Sequence, residues 1–322
     1  MPVRPPTRAF TLVDLLAILM LTTLTGVLAA AIAGPVPPAS PAPQAEPAPE
    51  SAEAIAARRL KLRTKDAMHA RAITQTLFIW AAGEGAGFPL PSKLDAADAT
   101  SALNGRAKDT TANIFSLLVY MGMVSTEVCI SPLEVNPNIK EDQRYEFTAP
   151  KAAMKPAEAL WDPGFKADFT KGQTGNVSYA HLQPSDGRLP RWTDTYNPLE
   201  PVISNRAPQI ERIERTGDDD RGWVYTLIGE AADSLTYKLH DPADSWSGNV
   251  AYGDGHVDFI SRLAPEGKVE DKKWLPYTTW ENTKFLDCYF VDEEDDKSGS
   301  NAFLGIFVSA GKSPKDFRGI WD

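Results

Sequence analysis

Cysteine is scarce in this chain: the 322 residues hold two, Cys129 and Cys288, and no C-x-x-C pair. A thiol-based zinc site is thereby excluded. The one disulfide open to the chain is Cys129–Cys288, which would close a very long loop; the alternative is two buried free thiols. Basic charge is in deficit, with 33 Lys and Arg against 43 Asp and Glu and a net charge of -10, which argues against a nucleic-acid binder. Walker A and G-x-G-x-x-G phosphate loops are missing, as is the G-x-S-x-G elbow of serine hydrolases. Ser178 and His181 stand too close along one expected strand to build a catalytic triad unaided. No internal repeat is present.

One long hydrophobic run is present, over residues 10–33, behind a short leader that carries Arg4 and Arg8. It amounts to roughly 36 Å of helix at about 1.5 Å per residue, enough to span a bilayer. The arginines on its N-terminal side hold that end in the cytoplasm and export the rest. A single charge interrupts the run, Asp14. An acid inside a membrane-length segment is costly and is usually functional.

Ala9-Phe10-Thr11-Leu12-Val13-Asp14-Leu15-Leu16 resembles the class III signal of type IV pilins and type II secretion pseudopilins. In that family a prepilin peptidase cuts before the Phe and methylates the new amine, and a Glu four residues on neutralises that amine on a neighbouring subunit. The resemblance implies that Ala9 precedes the cut, Phe10 becomes the N-terminus, and Asp14 pairs with the amine. Ala9 stands where the family has Gly, and Asp14 where it has Glu. Two other readings remain open: an uncut anchor, and an ordinary secretory signal ending at Ala31-Ile32-Ala33 before Gly34.

Residues 34–50 form a linker in which seven prolines fall between positions 35 and 49. Proline removes helix donors, so the apolar helix cannot run on into the head as a continuous spine. The segment reads as polyproline II, a semi-rigid tether of about 45 Å at roughly 3.1 Å per residue. Residues 51–322 are left as one α+β head. Its first helix is expected over 51–82, with Ser51 as N-cap, Glu53 in the first turn, basic early turns, and an apolar set of Ile55, Leu60, Leu62, Met68, Ile73, Leu77 and Ile79. A second is expected over 111–121. Strands are expected at 176–181, 202–205, 223–228, 249–252, 256–260, 285–291 and 303–308, in an antiparallel sheet.

The strands at 249–252 and 256–260 flank Asp254-Gly255 and predict a hairpin with a two-residue type I′ turn. Val250, Tyr252, Val257 and Phe259 would then share a face. The segment is also similar to the C-terminal His-x9-Asp-Gly-His-Val signature of prepilin-like proteins abundant in planctomycetes. Gly87-Phe88-Pro89, Cys129-Ile130-Ser131-Pro132 and Ser178-Tyr179 follow that family's order of a loop, a cysteine element and a Ser-Tyr strand. Thirteen residues, rather than nine, separate His240 from Asp254.

His240, Asp254, Gly255 and His256 are therefore read first as a structural hairpin signature. The sharper reading, in which His240, Asp254 and His256 hold a metal, is the weaker one, because no third histidine lies nearby. No cofactor is expected. Calcium at the acidic loop 292–299 is the one candidate, and it lacks the Gly and terminal Glu of an EF-hand, having Lys297 and Phe303 there. Together the resemblances imply a non-enzymatic, single-pass inner-membrane pseudopilin-like protein with a periplasmic head. Its partners would be the prepilin peptidase and other pilin-like subunits of a type II secretion or type IV pilus-like system. Two alternatives stand behind it. One is a tethered envelope protein that binds a glycan or protein through its long loops or through tryptophans in polar loops, Trp192, Trp246 and Trp280. The other is a metal-dependent hydrolase at His240, Asp254 and His256.

Overall fold

A five-stranded antiparallel sheet, with strands in the spatial order 257–260, 248–252, 201–205, 179–182 and 304–305, forms the centre of the head, and one long helix crosses its face. The computed structural model describes residues 50–84, 87–215, 223–227, 234–240, 246–261, 289–292 and 302–322. The leader and apolar run with Ala9, Phe10 and Asp14, the linker to residue 49, Cys288 and the acidic loop from 293 lie outside the described residues. Among the described residues no helix is long and apolar enough to cross a membrane. Ser51–Asp322 is one compact unit.

Helix α1 spans Ala52–Glu84, and its 33 residues make it about 50 Å long. Ser51 caps it, its hydroxyl accepting the Ala54 N–H at 3.2 Å. The buried face differs from the expected apolar set. Ile73 and Leu77 are in the core, but Leu60, Met68 and Ile79 are exposed. The buried residues of α1 include Asp66, His69, Ala70, Ile73, Thr74, Leu77 and Trp80, mostly three and four apart. Three of those seven are polar, so a search for hydrophobic periodicity finds the wrong face.

A single helical turn, α2 (Pro91–Leu94), leads to α3 (Thr111–Tyr120), which is buried along almost its whole length. Ile114, Leu117 and Leu118 pack into the same core as α1, each side chain contributing about 1.5–3 kcal/mol by burial. Thr110 caps α3 by accepting the Asn113 N–H.

The sheet strands are β1 (Tyr179–Leu182), β2 (Pro201–Asn205), β5 (Gly248–Tyr252), β6 (Val257–Ile260) and β7 (Leu304–Gly305). A separate hairpin joins β3 (Ile210–Arg215) to β4 (Trp223–Leu227), and β8 (Phe307–Ser309) pairs with β9 (Arg318–Gly319). Strand β3 is not foreseen by the sequence reading, since IERIER is mostly charge. The expected strand 303–308 is two pieces serving different sheets, broken at Ile306. The described end of 285–291 is a turn, Tyr289 and Phe290.

The β5–β6 hairpin forms, with a different turn. Gly255 N–H donates to the Tyr252 carbonyl at 2.8 Å, Tyr252 N–H donates to the His256 carbonyl at 3.0 Å, and Gly255 has φ +86°. Asp254 is not among the residues with positive φ, as type I′ would require. This is a three-residue connection, a type I turn closed by a left-handed glycine. One more loop residue moves the register by one. Val250 therefore opposes Asp258, while Ala251 opposes Val257 and Asn249 opposes Phe259. Val257 and Phe259 end up on the opposite face from Val250 and Tyr252.

Candidate functional site: a buried carboxylate where distant segments meet

Asp66 is completely buried on the sheet-facing side of α1. Its Oδ1 accepts the Ser131 hydroxyl at 2.6 Å, the Tyr179 hydroxyl at 2.7 Å and the Asn205 side-chain amide at 3.2 Å. Its Oδ2 accepts the Asn249 amide at 2.6 Å. His240 Nε2 lies 3.6 Å from the same oxygen and donates to Asn205 Oδ1 at 2.9 Å. Burial first, and then the Asp66 charge, push the Tyr179 phenol well above its ordinary range, so it stays a donor. A carboxylate taken out of water needs several donors to offset its lost hydration, and this one has them.

The sequences that carried the prepilin-like resemblance meet here. The cysteine element contributes Ser131, whose N–H also donates to Ser178 Oγ at 2.8 Å. The Ser-Tyr strand supplies Tyr179, the histidine position His240, and the lead into the hairpin Asn249. The loop after α1 is held nearby in its own way. Gly87 has φ +93°, and a Cβ there would stand 2.7 Å from the Trp192 carbonyl, which accepts the Phe88 N–H at 2.8 Å. At the hairpin tip a Cβ on Gly255 would meet the Phe78 ring of α1 at 3.3 Å.

Cys129 is fully buried with a free thiol, and desolvation pushes that thiol up, away from thiolate chemistry. Its proposed partner Cys288 is outside the described residues. His256 and Asp254 pair with each other: Asp254 Oδ1 accepts the His256 N–H at 3.1 Å and contacts Nδ1, while Nε2 lies 3.5 Å from Asp258. The imidazole stacks flat on Tyr252, with centroids 4.5 Å apart. Burial alone would raise the Asp254 carboxyl, but the His256 backbone and ring hold it below its usual range. His240 instead stacks edge-on against Phe259, further along β6. The structure thus joins Asp254 to His256 but places His240 with Asp66. Among the described residues no group of three His, Cys, Asp or Glu is placed to hold a metal ion.

Two of the loop tryptophans are not available for stacking on a glycan. Trp192 and Trp246 are buried and donate their indole N–H groups to the Pro89 carbonyl at 3.1 Å and the Arg206 carbonyl at 2.8 Å. Ser178 and His181 do not form a dyad. His181 Nε2 accepts from Thr111 Oγ1 at 2.8 Å, and its Nδ1 donates to the Leu182 carbonyl at 2.8 Å.

Sequence reasoning missed Asp66, Asn205 and the role of Asn249. One signal was available: Asp66, Ala70, Ile73 and Leu77 lie at helical spacing, and an acid on an otherwise apolar stripe implies donors opposite. No protein-family model matches the chain, and no curated protein or solved structure matches it either.

Proposed function

We propose that this chain is a prepilin-like structural subunit. It is exported and held by residues 10–33, cut before Phe10, and carries a periplasmic α+β head that serves a type II secretion or type IV pilus-like assembly. The leader residues Ala9, Phe10 and Asp14 support the processing part of this reading. The observation that carries it for the head is the convergence of Ser131, Tyr179, His240 and Asn249 on Asp66. These residues, scattered over more than a hundred positions, act together to fasten one long helix across an antiparallel sheet. Asp66 has no solvent exposure, so the cluster suits anchoring and not turnover of a substrate.

Assembly depends on Asp14 in this reading, because its carboxylate neutralises the amine of Phe10 on a neighbouring subunit. The test is to express Asp14→Ala beside the wild-type chain and compare sheared surface fibres with the membrane fraction. Loss from the fibres with normal membrane retention is the expected result. Equal incorporation of the two chains would remove the pilin-like role.

A further inference from the structure

The first ten residues of α1 project beyond the packed body of the head. Residues 52–61 are all exposed except Ile55, which is half-buried, and full burial begins only at Asp66. In the same stretch a chain of net charge -10 concentrates five cations within eight residues: Arg58, Arg59, Lys61, Arg63 and Lys65, the last paired with Glu127 at 2.7 Å.

Beside this projecting end lies a cleft of about 430 Å³, bordered by Ile55, Ala56, Arg59, Leu60, Arg63 and His240. The Arg63 guanidinium lies 4.3 Å over the Phe259 ring, and Phe259 in turn meets His240 at 5.0 Å. Stacking fixes the position of that charge. Cations beside a bed of alanine, isoleucine and leucine suit an amphiphilic anion, with a phosphate for the arginines and methylenes for the apolar wall. A free inorganic anion would leave the apolar side unused, and a nucleic acid would be repelled along the acidic remainder of the head.

The position of this patch in the chain names the surface. It begins directly after the proline-rich segment, and seventeen residues separate the apolar run 10–33 from Ser51. The proline-rich part of that spacer, positions 35–49, reaches about 45 Å when extended. The basic end is thus the first part of the head to follow a segment of membrane length.

We propose that the projecting basic end of α1 docks on the bilayer through anionic phospholipid headgroups, seating a lipid phosphate in the cleft between Arg59 and Arg63. The proposal rests on the membrane anchoring of the proposed function. Docking would orient the head, since the acidic remainder turns away from the same anionic surface.

Hydrogen exchange of the full chain tests this, in nanodiscs of phosphatidylcholine alone and of phosphatidylcholine with phosphatidylglycerol. Amides of residues 54–63 are expected to exchange about tenfold more slowly in the anionic discs, a protection lost in high salt. Arg59→Gln with Arg63→Gln should abolish the difference while leaving exchange over residues 66–80 unchanged. Equal exchange in both discs would overturn the proposal and leave the anchoring intact. Equal protection by inorganic phosphate in neutral discs would also overturn it, assigning the cleft to a free anion. Failure to enter either disc would overturn the anchoring and the proposal with it.

Discussion

Asn249 on β5 donates its side-chain amide to Asp66 Oδ2 at 2.6 Å, linking residues 183 positions apart across the helix–sheet interface. Because Ser131, Tyr179 and Asn205 aim at the other oxygen, removal of the carboxylate would strand four buried donors at once. Asp66→Ala is expected to cost about 3–5 kcal/mol, and Tyr179→Phe only about 1 kcal/mol, since the remaining donors still satisfy Asp66. Urea denaturation followed by tryptophan fluorescence measures both. Near-equal losses would mean that the network does not centre on Asp66.

Two of the left-handed glycines, Gly87 and Gly255, should respond unequally to alanine. At Gly255 the new Cβ meets the edge of the Phe78 ring at 3.3 Å, so Gly255→Ala costs about 1–2 kcal/mol, mostly from φ. At Gly87 it meets a backbone carbonyl at 2.7 Å, which cannot swing aside, and about 3 kcal/mol is expected. Thermal melts of the two variants give the order directly.

Arg206 binds Glu134 through two bonds, Nη2 to Oε1 at 2.7 Å and Nε to Oε2 at 3.1 Å, and also pairs with Asp322. Both Arg206 and Glu134 are nearly fully buried. Burial works against the Arg206 charge, but the Glu134 and Asp322 carboxylates outweigh it and hold the guanidinium above its usual range. Arg206→Met would leave two acids without their counter-charge and destabilise the head by about 3–5 kcal/mol. The double change Arg206→Met with Glu134→Gln should recover part of that loss in the same denaturation assay.

Burial pushes His181 down to about 4 from its ordinary 6.5, although its bond to the Leu182 carbonyl acts the other way. Between those two values the unfolded chain binds the extra proton and the folded chain does not. Stability from this group is therefore complete above pH 6.5 and falls as the pH drops toward 4, by about 3 kcal/mol over the window. His181→Gln should flatten the stability slope between pH 6.5 and 5 relative to wild type. An unchanged slope would place the titration elsewhere.

Local chemistry was the most legible part of the fold. The hydroxyl of Ser51 marks the start of α1, the stripe of α3 is apolar enough to read, and Asp254-Gly255 announces a turn. Register was not legible, because a two-residue and a three-residue turn share the same Asp-Gly and are told apart by the φ of Asp254 and by whether Gly253 belongs to the strand or the loop. The face of α1 was misread for a different reason: its buried stripe includes Asp66 and His69, whose partners lie far away in sequence, at Ser131, Tyr179, Asn205 and Asn249 for the first and at the Ile130 carbonyl for the second. The signature residues were each visible as isolated points. Their common target was not, since nothing local to Ser131, Tyr179 or Asn249 names Asp66.

The most direct test of the pilin-like reading is the intact mass of the mature protein, purified from membranes of cells that contain a prepilin peptidase. A chain beginning at Phe10, with one methyl group on its amine, is the expected result. A chain beginning at Gly34 or at Met1 would contradict it.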